Sequence, residues 1–216
     1  MKRTLLLDGA MGTELQNRGF DIPLPLWSAD ANIKHPEVVI NIHKDYINSG
    51  ADIITTNTFR TTAWTYRKAG FSDTKSKELS RLSLYKAVEC AQIAVSNSVK
   101  IAGSITTIED CYLPELFPGT SAAEYTYGQT IEWLVDAGVD FILFETSLPP
   151  IKFRSDVRQF DAIFTIKVNL ESKQLVKVVS SPAFNSSKLS IIVTNNQAKC
   201  SAAARISVMN CIKMVV

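Results

Sequence analysis

Asp8, Asn57, Ser104 and Glu145 each close a short, largely apolar run: Leu5-Leu6-Leu7, Ile53-Ile54-Thr55-Thr56, Ile101-Ala102-Gly103 and Val139 to Phe144. Carboxylates, an amide and a hydroxyl in such positions act together only if the fold gathers the run ends. Parallel α/β folds do this, because the carboxyl ends of their strands share one rim and the chemistry sits there. Polar residues at strand ends also arise simply because loops meet water. Successive repetition of the pattern favours the shared rim. From the residues alone, Asp8 and Glu145 suit acid–base work without metal, as in a barrel lyase or aldolase. After Asp8, the small residues Gly9, Ala10 and Gly12 let a ligand approach the backbone closely.

Strand–helix units position these side chains. Strand one is Thr4 to Leu7, and its continuous apolar character suits burial on both faces. A helix follows over residues 36–49; Pro36 and Glu37 suit its first turn and Gly50 ends it. Strand two is 52–56, followed by a helix over 76–96 with Leu79, Leu82, Val88, Ile93 and Val95 as its apolar positions. Strand three is 100–104, helix three 121–137 before Gly138, and strand four 139–144. Beyond Pro149-Pro150 the alternation fades. Residues 163–168, 175–179 and 189–193 read as strands, 206–209 as a weaker one, and 197–205 as a short helix.

A chain of 216 residues with a net charge of +2 gives no electrostatic case for nucleic acid or membrane binding. It holds no apolar run long enough to span a bilayer and no signal-peptide core, so a cytoplasmic protein is expected. The cysteines, Cys90, Cys111, Cys200 and Cys211, are too scattered for a disulfide framework or a CxxC metal clip. Cys90 reads as a buried small residue within the second helix. His35 and His43 share one helix without HExxH geometry, so structural roles are expected. Trp27 suits either a pocket wall or plain packing. Trp64 and Tyr66, just past Asn57, are placed to line a substrate entrance, and Trp133 to sit in the core.

Several segments together resemble the homocysteine S-methyltransferase family. They are Asp8-Gly9-Ala10-Met11-Gly12-Thr13-Glu14-Leu15, Pro25-Leu26-Trp27-Ser28, His35-Pro36-Glu37, the stretch from Gly50 to Phe59, Ala102-Gly103-Ser104-Ile105, Glu109 to Pro114, and Ala137 to Thr146. The likeness is dense over residues 4–150, while 151–216 diverge within what reads as one domain, 1–216. It implies a (β/α)8 TIM-type barrel, incomplete at its C-terminal end, that transfers a methyl group from S-methylmethionine or S-adenosylmethionine to homocysteine. Glu145 resembles the family carboxylate that takes the substrate ammonium, with Asp8 placed to assist. Backbone amides around Gly9, Ala10 and Met11 are placed to receive the substrate carboxylate. Asn57 and Ser104 complete the expected substrate contacts.

The resemblance also implies zinc held by three thiolates, which would fix the substrate sulfur as the nucleophilic thiolate. Asn210-Cys211 resembles the first zinc motif, but the adjacent cysteine pair of the family is absent from this sequence. Cys211 is therefore the single expected metal ligand, two short of a site. An alternative follows: an inactive member that keeps the amino-acid pocket. The partners expected are homocysteine and a small methyl donor. An incomplete barrel would expose parallel strand edges, which favours a homo-oligomer.

Overall fold

A computed structural model describes residues 5–96, 98–110 and 113–145, together with three strands at 163–169, 174–179 and 191–192. Helices α1 (Met11–Asn17), α2 (Ala31–Lys34), α3 (Pro36–Asn48), α4 (Ala63–Lys68), α5 (Asp73–Ala94) and α6 (Thr120–Asp136) alternate with strands. These are β1 (Leu5–Leu6), β2 (Ile53–Thr55), β3 (Lys100–Ile105) and β4 (Phe141–Phe144), then β5 (Ile163–Asn169), β6 (Gln174–Val179) and β7 (Ile191–Ile192).

β2, β3 and β4 pair in parallel, with Ile54 opposite Ile101 and Gly103 opposite Ile142. β1 joins them through a parallel bridge from Leu7 to Ile53, fixed by Asp8 N–H donating to Ile53 O at 3.0 Å. β7 pairs with the outer side of β1 and β5 with that of β4, both in parallel. The first four β strands and their intervening helices thus follow the expected parallel α/β order. β6 departs from it: it runs antiparallel to β5, a hairpin where a strand–helix barrel would cross over. No ladder joins β6 to β7 among the described strands. The helix expected at 197–205 and the strand at 206–209 lie outside the described residues.

Helix ends match local chemistry. After α3, Gly50 adopts φ 101° and the chain closes with Gly50 N–H to Ile47 O and Ala51 N–H to Tyr46 O. After α6, Gly138 at φ 83° repeats the arrangement with Val135 O and Leu134 O. Both are glycine-terminated C-caps, where a side chain would strain the left-handed residue. The strands between are buried throughout β4 and at every position of β3 but the first, as parallel sheets covered on both faces require.

α5 corrects the apolar face expected for it. Leu82 and Ile93 are 41% and 54% exposed, whereas Ser76, Ser80 and Ser83 are fully buried beside Leu84, Ala87, Val88 and Ala91. Small side chains let α5 pack closely on α2, α3 and α4, and their hydroxyls are satisfied on carbonyls, as in Ser83 Oγ to Ala29 O at 2.8 Å. The helix also starts earlier than expected, because Ser72 caps it by accepting from Lys75 N–H at 3.4 Å. Trp133 is half-buried against the core rather than inside it. No described helix is long and apolar enough to cross a membrane.

Candidate functional site

Parallel pairing of β1 to β4 brings their carboxyl ends to one rim. A cleft of about 210 Å³ opens there, lined by the turn 9–13, Trp27, Ser28, Thr55, Thr56, Asn57, Phe59, Ser104 and Glu145. It is smaller than the roughly 300–1,000 Å³ typical of drug-sized sites, a scale that suits a small metabolite. Gly9, Ala10, Met11, Asn57, Ser104 and Glu145 therefore surround one space.

Asp8 stands behind that wall, 7% exposed. Thr55 holds it twice, donating from N–H at 2.9 Å and from Oγ1 at 3.0 Å. Burial pushes the Asp8 carboxyl well above the ordinary range against those two bonds, and the nearby charge of Glu145 pushes it the same way. Glu145 accepts from Ser104 Oγ at 2.8 Å, and its own carboxyl is raised by burial despite that bond. Glu145 thus lines the cleft, and Asp8 stands behind its wall close enough for each negative charge to be felt by the other.

Asn57 lines the cleft, but its amide is used within the protein. Its Oδ1 accepts from Ser28 Oγ at 2.6 Å, and its Nδ2 donates to Ser28 O at 2.9 Å and Asn32 Oδ1 at 2.8 Å. Asn32 in turn donates to Asn57 O and to Ser83 Oγ. This buried network pins the loop carrying Trp27 to the end of β2. Thr58 Oγ1 donates to Ser104 O at 2.6 Å, and Ser104 N–H to Thr56 Oγ1 at 3.1 Å, locking the ends of β2 and β3 together. The sequence gives no local signal for the roles of Thr55, Ser28, Asn32 and Ser83. Partners in the Asn32 and Ser83 bonds lie 25 to 54 residues away, beyond any short-range pattern.

Trp27 takes the pocket-wall position. Its backbone sits at φ 51°, unusual for a bulky residue, and its indole lies against Gly12, where an added Cβ would come within 2.4 Å of Nε1. Gly12→Ala is thus expected to drive the indole off the cleft at a cost of about 1–3 kcal/mol. The check is ligand affinity beside thermal melting: affinity falls while the fold persists, with tryptophan emission shifted. Trp64 and Tyr66 correct the entrance expected of them. Tyr66 is 1% exposed in the interior, and Trp64 turns away to donate its Nε1–H to Glu109 at 2.6 Å.

The available donors decide whether a metal fits. Cys90 is the described cysteine; it is buried on α5, its Sγ lies 3.6 Å from Pro36 O, and burial pushes its thiol up to about 11. No group of three or more His, Cys, Asp or Glu among the described residues could hold a metal ion. The described residues do not fit a zinc site, and Cys111, Cys200 and Cys211 lie outside them.

The family model of homocysteine S-methyltransferases matches residues 5–213. The chain belongs to the homocysteine S-methyltransferase family. A selenocysteine methyltransferase of Astragalus bisulcatus is 31% identical over 170 residues, covering 66% of this chain and 50% of that one. The homocysteine S-methyltransferase of Escherichia coli K12 is 31% identical over 157 residues, covering 66% and 49%. Among solved structures, the metallated form of the Escherichia coli homocysteine methyltransferase MmuM is similar with a TM-score of 0.58 and 28% identity, covering 67% of this chain and 54% of that chain. This family member spans about half the length of the curated relatives it matches.

Proposed function

We propose that the cleft binds homocysteine and that the chain acts in methyl transfer to its sulfur from a sulfonium donor, S-methylmethionine or S-adenosylmethionine. The observation that carries this is a cleft lined by Glu145 and the small-residue turn after β1, with the Asp8 carboxyl directly behind that turn and near enough to interact with Glu145. In this reading their negative charge takes the ammonium of homocysteine, and backbone amides of the 9–11 turn take its carboxylate. Asn57 and Ser104 hold the rim, Ser104 by orienting Glu145. We read the architecture behind the site as a (β/α)8-type barrel incomplete at its C-terminal end, where β6 leaves the parallel order. In the transfer, the homocysteine sulfur attacks the methyl carbon as the donor's sulfonium C–S bond breaks. The electron pair stays on the donor sulfur, which becomes a neutral thioether, and the thiol proton leaves to solvent.

Zinc is the family's expected means of holding the sulfur as thiolate. The described residues supply no set for it, so they are assigned capture and positioning, and no step is routed through metal. A cytoplasmic setting, where thiols stay reduced, suits a free-thiol substrate.

The test is calorimetric titration of the 216-residue chain with homocysteine, followed by assay for methionine from each labelled donor. Binding with labelled methionine is the expected result. Binding without turnover assigns an inactive amino-acid binder, and no binding overturns the reading.

A further inference from the structure

Arg60 is a cation that the site described so far does not use. It follows Phe59, a residue that lines the cleft, and its guanidinium carbon lies 5.4 Å from the centre of the Phe59 ring. The residue is half-buried, and its Nε is sealed from solvent with no hydrogen-bond partner among the described residues. Neighbouring cations are differently placed. Arg67 faces Asp73 at 3.6 Å, and Lys68 donates to both oxygens of Glu109 at 2.7 and 2.9 Å. Arg60 pairs with no carboxylate among the described residues.

A guanidinium is a planar fork of donors that matches a carboxylate in two-point geometry. With Nε buried and unbonded, the guanidinium is unsupported within the described residues, and a carboxylate meeting its outer nitrogens would offset that cost. We propose that Arg60 anchors the carboxylate of the methyl donor, a sulfonium amino acid seated against Phe59. The inference rests on reading the cleft as the homocysteine site. Methyl transfer between two amino acids brings two carboxylates into one recess. That of homocysteine is assigned to the turn after β1, whereas Arg60 follows β2 and stacks on the cleft-lining Phe59. Arg60 is then a specificity residue: it selects donors that carry an acid and disfavours cationic donors without one.

The experiment uses the full chain, with homocysteine at saturation. Titrations with S-methylmethionine, S-adenosylmethionine and the carboxamide of S-methylmethionine are run on wild type, Arg60→Gln and Arg60→Lys. The expected result is that Arg60→Gln weakens both carboxylate donors tenfold or more, and Arg60→Lys less. Amidation of the donor should weaken binding to wild type by a similar factor and have little further effect in Arg60→Gln. Homocysteine affinity should move less than twofold. Donor affinity indifferent to Arg60, equal losses for the acid and the amide, or a loss falling on homocysteine instead overturns this inference and leaves the parent reading standing. Failure of wild type to bind homocysteine overturns both.

Discussion

Glu145→Gln is expected to weaken homocysteine binding by about a hundredfold, while the fold melts at nearly the same temperature. The side chain keeps its shape, and the amide oxygen can still accept from Ser104 Oγ, which donates to the carboxylate at 2.8 Å. What is lost is the charge opposite a desolvated ammonium, and truncating such a pair costs about 2–5 kcal/mol. Asp8→Asn should show a loss in binding as well, with a stability change in addition, because Thr55 donates to both Asp8 oxygens. The sign of the pH dependence follows from the direction in which the two carboxyls move. Both are raised in the folded chain. Their contribution to stability is present below the unfolded value and is lost as pH rises through the folded one. A bound ammonium restores that loss, so homocysteine should raise the melting temperature more at pH 7 than at pH 5. Affinity should fall on acidification in wild type and stay flatter in Glu145→Gln. Calorimetry at a series of pH values reads both. An unchanged affinity in Glu145→Gln removes the basis for placing the ammonium there.

The legible parts of this site are those whose cause is local. An apolar run ending in an acid, followed by small residues, announces β1, Asp8 and the 9–12 turn without any tertiary contact. Gly50 and Gly138 announce helix ends for the same reason, since their left-handed backbone is a property of one residue. The inward serine face of α5 is hidden in the sequence because apolar periodicity points to Leu82 and Ile93. Ser83 is buried instead through its bond to Ala29 O, 54 residues away. Asn57 is marked by its place at a strand end, but the use of its amide is not, since that depends on Ser28 and Asn32 folding back onto it. Tyr66 defeats a reading by proximity, because nearness in sequence to Asn57 does not say which face of α4 is turned inward. The antiparallel β6 has no local signal either, since a run of alternating residues fixes a strand and not its direction.

His43→Leu is expected to remove about 2 kcal/mol of acid sensitivity from folding at pH 5. His43 shares a face of α3 with Val39 and is wholly buried, with no hydrogen-bond partner for either ring nitrogen among the described residues. Burial holds its imidazole neutral, with the pKa lowered to about 4 from the ordinary 6.5. Between those values the unfolded chain binds a proton that the folded chain refuses. Stability therefore rises with pH across that window and is lost on acidification below about pH 6.5. At pH 5 the linkage amounts to about 2 kcal/mol, and below pH 4 it levels off at about 3.4 kcal/mol, since each tenfold difference in proton affinity is worth about 1.36 kcal/mol. Leucine fills a similar volume and carries no proton, so the variant should be at least as stable as wild type at pH 7. Asp8 and Glu145 titrate in both proteins, and their contribution cancels in the difference. Urea unfolding of both chains at pH 7 and pH 5 gives the measurement. Parallel losses in the two would show that the imidazole is already charged, or already solvated, in the native state.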